Sequence, residues 1–130
     1  MEYGSEVLRR FGSPRRAGEI ADGASGQVVA GEAEDRTLQV WVRFQLQVTA
    51  GVIQAVRFRV FGCPHTVAAA SWVAEWLEGK PAEFVRRLDV RELRAALDVP
   101  TDKAGKLLRI EDALLACGRQ LEHMDGAKVE

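Results

Sequence analysis

The sequence predicts an α+β domain in which a small antiparallel three-stranded sheet carries helices mainly on one face. Three observations predict it. Leu38, Val40, Val42, Phe44, Leu46 and Val48 alternate with Gln39, Trp41, Arg43, Gln45 and Gln47, a period of two that marks a strand with one buried face. A second alternation, Val56, Phe58 and Val60 against Arg57 and Arg59, follows after a connection too short for a parallel crossover. Beyond Cys63 the pattern turns helical and stays so, and strands followed by helices is the order of an α+β fold.

Taken in order, Ser5 to Phe11 sets Val7, Leu8 and Phe11 at helical spacing until Gly12-Ser13-Pro14 stops the helix. Gly12 to Gly26, with its glycines, one proline and mixed charges, reads as an ordered loop, and Gly26 to Ala30 as a short strand. Thr49-Ala50-Gly51 turns the chain between the two clear strands. The alanine-rich run Thr66 to Leu77 forms a helix ending before Gly79 and Pro81. Pro81 to Leu88 gives another short helix, and Asp89-Val90-Arg91-Glu92 has the form of a capping box opening a third through Leu97. Leu107, Ile110, Leu114, Cys117 and Leu121 make one apolar stripe on a long last helix. Trp72 and Trp76, spaced i, i+4, are expected to pack on the sheet at the core, with a contact face as the alternative.

At 130 residues the chain suits a single domain, 1–130. Its net charge of −1 exerts no general pull on nucleic acid or anionic membrane. The start lacks the apolar region of a signal peptide, and no apolar segment is long enough to span a bilayer, so a cytoplasmic protein is expected. Two cysteines offer no disulfide framework.

The chemistry concentrates in Phe61-Gly62-Cys63-Pro64-His65. Proline favours the first helical position, which puts Cys63 at the N-cap. Unpaired N–H groups and the positive end of the helix dipole favour thiolate there, the form that binds metal or attacks. A small residue packed at a strand–helix joint is the alternative. Cys117, on the apolar stripe, is a core residue. An enzyme is not expected: the adjacent His65 is the one histidine near Cys63, and helix geometry turns it away from the thiol.

The segment VRFRVFGCPHTVAAASWVAEWLEGK resembles the middle of the IscU / NifU N-terminal family, the scaffolds on which iron–sulfur clusters are assembled. YGSEVLRRFGSPRRAG, from Tyr3 to Gly18, is similar to that family's opening helix and loop, and Ile110-Glu111-Asp112-Ala113-Leu114 to an element of its last helix. The likeness covers about residues 3–122, leaving 123–130 as a loose tail, and implies a scaffold of iron–sulfur cluster assembly whose partners are a cysteine desulfurase or other proteins of that machinery.

The family's site of three cysteines and one aspartate carries over unevenly. In the loop Gly31 to Asp35 the first cysteine is replaced by Ala33 and the aspartate is Asp35. The second cysteine is Cys63. The third, preceded by histidine in the family, falls at Gly105-Lys106. Cys63 and Asp35 are therefore the candidate cluster or metal ligands, for an iron–sulfur cluster, iron or zinc. His65 is the candidate further ligand, with Glu34 also near; a surface histidine is the alternative for His65. His123 is expected to be uninvolved. Lys106 is a candidate charge substitute for the missing ligand, an ammonium that pairs with Asp35 and the Cys63 thiolate in a site without metal. The family's chaperone-recognition element reads Val99-Pro100-Thr101-Asp102-Lys103, with Asp102 in an apolar position, which argues against chaperone handover. Two readings follow: a scaffold with a degenerate site, or a paralogue that binds partners and no cluster.

Overall fold

The computed structural model describes residues 4–12, 16–21 and 23–129, with the side chains of 5, 8, 11, 12 and 123–129 outside the description. Leu8, Phe11 and His123 therefore lie beyond the reach of the expectations placed on them. The expected order of elements is present: α1 (Ser5–Gly12), β1 (Gln27–Asp35), β2 (Val40–Thr49), β3 (Val52–Phe61), α2 (Pro64–Leu77), α3 (Val90–Leu97) and α4 (Ala104–Val129). The short helix expected over Pro81 to Leu88 is a 3₁₀ helix at Ala82–Arg86, and a second 3₁₀ turn occupies Thr101–Lys103.

The sheet is antiparallel in the order β1-β2-β3. β2 sits in the centre and alternates buried with half-buried residues from Val40 to Val48, as its sequence period requires. Ala50 and Gly51, at φ 53° and 78°, form the two-residue turn between β2 and β3, both left-handed as a twist-matched hairpin turn demands. One residue of β3, Gln54, is bulged where Gln47 pairs with Ala55 and Val48 with Ile53. α4 lies across β1 and β2, α2 against β3, and α1 on α2.

β1 corrects the sequence reading. It starts where the short strand was expected but runs nine residues, so Gly31 to Asp35 is strand and not loop. Its inward positions are Val29, Gly31 and Ala33, a face too small to give an apolar alternation. The reason is the closeness of α4. A Cβ on Gly31 would lie 2.3 Å from the Ala113 carbonyl oxygen and 2.6 Å from the Cys117 nitrogen, so helix backbone rests on strand backbone and only glycine fits.

The stripe of α4 is in the core as expected: Leu107, Ile110, Leu114 and Cys117 are fully buried and Leu121 nearly so. The helix continues to Val129. Trp72 and Trp76 pack against the core edge half-buried, stacked on each other with centroids 6.2 Å apart, and Trp76 leans on Phe84 at 5.9 Å. Asp89 caps α3 by accepting the Arg91 N–H at 2.9 Å. Charge fastens the N-terminal segment: the buried Arg10 meets Glu6 at 2.6 Å, Glu75 at 2.7 Å and the Ser71 hydroxyl at 3.1 Å, and Arg16 meets Glu78 at 2.6 Å. Among the described residues no helix is long and apolar enough to cross a membrane.

Candidate functional site

Cys63 occupies the N-cap of α2, with Pro64 at the first helical position. Its carbonyl accepts the first helical bonds, from the N–H groups of Thr66 at 2.9 Å and Val67 at 3.2 Å. The half-buried thiol does not cap the helix; it shares a hydrogen bond with the Thr66 hydroxyl at 3.6 Å. Burial pushes the thiol pKa up. The Thr66 hydroxyl and N–H, the Lys106 ammonium and the His65 N–H together outweigh it and hold the thiol below its ordinary value.

The sulfur opens on a cavity of about 460 Å³ walled by Leu38, Val60, Phe61 and Val67, with Gln39, Gly62 and Lys106 completing the lining. Lys106, expected to face both Cys63 and Asp35, lines this cavity with Cys63, on the α4 side of the cysteine. Phe61 is 72% exposed and forms an apolar rim.

Asp35 is next door and otherwise engaged. Its Oδ1 accepts the Leu38 N–H at 3.0 Å, shaping the turn from β1 to β2. Its Oδ2 lies 3.9 Å from Arg109 Nη1, while Arg109 Nη2 is 3.2 Å from Asp112. The cation that meets Asp35 is therefore Arg109, one turn beyond Lys106 and absent from the sequence reading. Its signal was the i, i+3 pairing with Asp112 at the head of α4. Glu34, Asp35, Gln39 and Phe61 line a second recess of about 290 Å³, so Gln39 and Phe61 belong to both.

His65 is corrected from surface to interior: it is 2% exposed. Burial, then the charges of Lys103 and Lys106, hold its pKa below the ordinary imidazole value, while Asp102 pulls the other way. A helix N-terminus exposes some side chains, but position two here turns inward toward the start of α4. Glu34 remains exposed, with Arg36 at 3.6 Å. Ala33 packs half-buried against the core. Cys117 is fully buried and points at the Phe44 carbonyl, 3.6 Å away, and burial pushes its thiol up to about 12.

A sequence model of the NifU-like N-terminal domain matches residues 2–123. The chain belongs to that family. Within the NifU-like N-terminal family it is 27% identical over 131 residues to the iron–sulfur cluster assembly scaffold protein IscU of Azotobacter vinelandii, spanning 97% of this chain and 98% of that protein. It is 35% identical over 99 residues to the bifunctional protein NifU/MnmA of Rubrobacter xylanophilus, spanning 75% of this chain and 20% of that protein. The crystal structure of a NifU-like N-terminal protein from Brucella abortus shares its fold at a TM-score of 0.71 and 18% identity, over 92% of this chain and 94% of that one.

The residues of this NifU-like domain do not by themselves fit a closed metal site. Structural zinc takes about four Cys, His or carboxylate ligands, and iron–sulfur clusters about four thiolates or close substitutes. Among the described residues no three His, Cys, Asp or Glu side chains converge at metal-binding distance. Cys63 faces the cavity, Asp35 faces Arg109, and His65 is turned into the protein.

Proposed function

We propose that this chain serves iron–sulfur cluster assembly as a scaffold-like protein with a degenerate site. A cluster is its cargo, Cys63 is the thiolate it contributes, and the remaining ligands come from a second molecule. The observation that carries this reading is the placing of Cys63: a thiol with lowered pKa, at a helix N-terminus, opening on a solvent-accessible cavity in a family whose named relatives assemble clusters. Asp35 and His65 are secondary candidates as ligands, each requiring a local rearrangement. A cysteine desulfurase or another protein of the assembly machinery is the partner class.

Anaerobic reconstitution with ferrous iron and sulfide, comparing wild type with Cys63→Ser, tests it through bound iron and sulfide, visible absorption and molecular mass. Cluster that disappears in the variant, with a mass that counts the molecules sharing it, is the expected result. Absence of cluster in the wild type would defeat the reading. It would favour the second one, a partner-binding protein without cluster, for which the Asp35–Arg109 pair and Lys106 beside Cys63 speak.

A further inference from the structure

The two edges of the sheet are finished differently. The edge of β3 is closed by the chain itself. Ile53 donates to the Lys80 carbonyl at 2.9 Å and accepts the Gly79 N–H at 2.8 Å, the Val56 N–H donates to the Glu78 carboxylate at 3.0 Å, and Phe58 donates to the Arg16 carbonyl at 3.1 Å and accepts the Gly18 N–H at 2.9 Å. The edge of β1 is open. Its register with β2 runs unbroken over nine residues, and an antiparallel pair turns the N–H and C=O of alternate residues outward. Ala30 is one of these, because its N–H donates to the Gln120 side chain at 2.7 Å. Val28, Glu32 and Glu34 share its phase, and no described residue bonds their outward backbone groups. The side chains of these four point away from the core, since Val29, Gly31 and Ala33 point into it. Val28 is 39% exposed, and Glu32 and Glu34 are about half exposed. Arg43 at 3.5 Å and Arg36 at 3.6 Å are their cations, loose surface pairs that contribute little. On the opposite face of β1, Ala116 and Gln120 of α4 flank the strand and leave room for short side chains.

We infer that the β1 edge docks an extended, basic segment of a partner protein, which adds a fourth strand to the sheet independently of any cluster at Cys63. The unpaired N–H and C=O groups supply the backbone bonds of such a strand, and the side chains of β1 set its register and sign. Lys or Arg at two alternate positions lies opposite Glu32 and Glu34, and apolar side chains lie opposite Ala30 and Val28. The exposed Gln120 side chain yields the Ala30 N–H to the incoming strand. A second copy of this chain is the poorer occupant. Pairing β1 with itself over its length gathers Glu32 and Glu34 of both copies on one strip, four carboxylates where like charges repel.

The probes are two fluorescein-labelled peptides, Lys-Thr-Lys-Thr-Val-Thr-Val for antiparallel addition and its reverse, Val-Thr-Val-Thr-Lys-Thr-Lys, for parallel. Each is titrated with the whole protein at low salt, read by anisotropy and by amide hydrogen exchange. One of the two is expected to saturate and to slow exchange of the Glu32 and Glu34 amides by about tenfold or more, while Phe58, already bonded to Arg16, is unchanged. Methylating the peptide nitrogens that face β1 keeps the charge and should abolish both effects. The double variant Glu32→Lys, Glu34→Lys, its fold confirmed by circular dichroism, should bind the lysine peptide about tenfold more weakly and prefer the peptide with Glu in place of Lys. Three results would overturn the inference: no saturation by either peptide, binding that survives N-methylation and is therefore charge attraction alone, or a free protein already dimeric with those amides protected, which assigns the edge to a second copy.

Discussion

The two cysteines of this chain carry the same side chain and opposite chemistry. Cys117 lies where α4 presses on β1 and β2, sealed from solvent, its proton held up to about 12 by burial alone against the weak help of Arg43. Cys63 lies where β3 hands over to α2, half-buried, with N–H groups, a hydroxyl and an ammonium around it. Their difference is made by backbone and charge. It teaches what surroundings do to one side chain: around Cys117 helix backbone rests on strand backbone and seals the thiol, and around Cys63 N–H groups, a hydroxyl and the Lys106 ammonium draw its proton off.

The largest effect belongs to the packed region. Gly31→Ala forces α4 away from β1 and should cost about 3 kcal/mol, read as a fall in the urea midpoint. An unchanged midpoint would mean that the helix yields easily and the region is softer than its contacts. The thiols themselves come next. With iodoacetamide near neutral pH, Cys63 should label roughly a hundredfold faster than Cys117, which reacts only when the helix opens. Comparable rates would erase the contrast.

His65 sharpens it through pH. Its folded pKa is lowered, so the unfolded chain binds the proton more readily. The contribution is fully present above the ordinary imidazole value and is lost as pH falls below it toward the folded value. Wild type should lose stability on going from about pH 7 to about pH 5, and His65→Gln should lose visibly less. Equal slopes would place the proton uptake elsewhere. Smallest is the effect of Lys106 on reactivity: Lys106→Met should slow labelling of Cys63 by a few-fold at low salt, and by less when salt screens the pair.

The sheet core, the helix order and the cap position of Cys63 were legible in the sequence because each rests on a local rule: alternation in β2, a stripe in α4, proline after the cap. β1 was half legible. Its inward face is Val29, Gly31 and Ala33, and what fills the space is the backbone of α4, which no local pattern announces. The candidate site positions, Cys63, Asp35, His65 and Lys106, came from the family likeness and not from any local pattern. Their geometry was not. That Arg109 answers Asp35, and that His65 turns inward, depends on how the start of α4 docks beside β1 and α2, contacts between segments about seventy and about forty residues apart.

The stacked indoles of Trp72 and Trp76 lie on the same helix that Cys63 caps, about 14 and about 20 Å along its axis at ~1.5 Å per residue. Trp41 pairs in register with Phe61 and lines the recess of Asp35. The chain therefore carries two separate light emitters at two distances from one sulfur. A coloured group arriving at Cys63 would dim both by unequal amounts, and the ratio of the two losses would locate it without any added label.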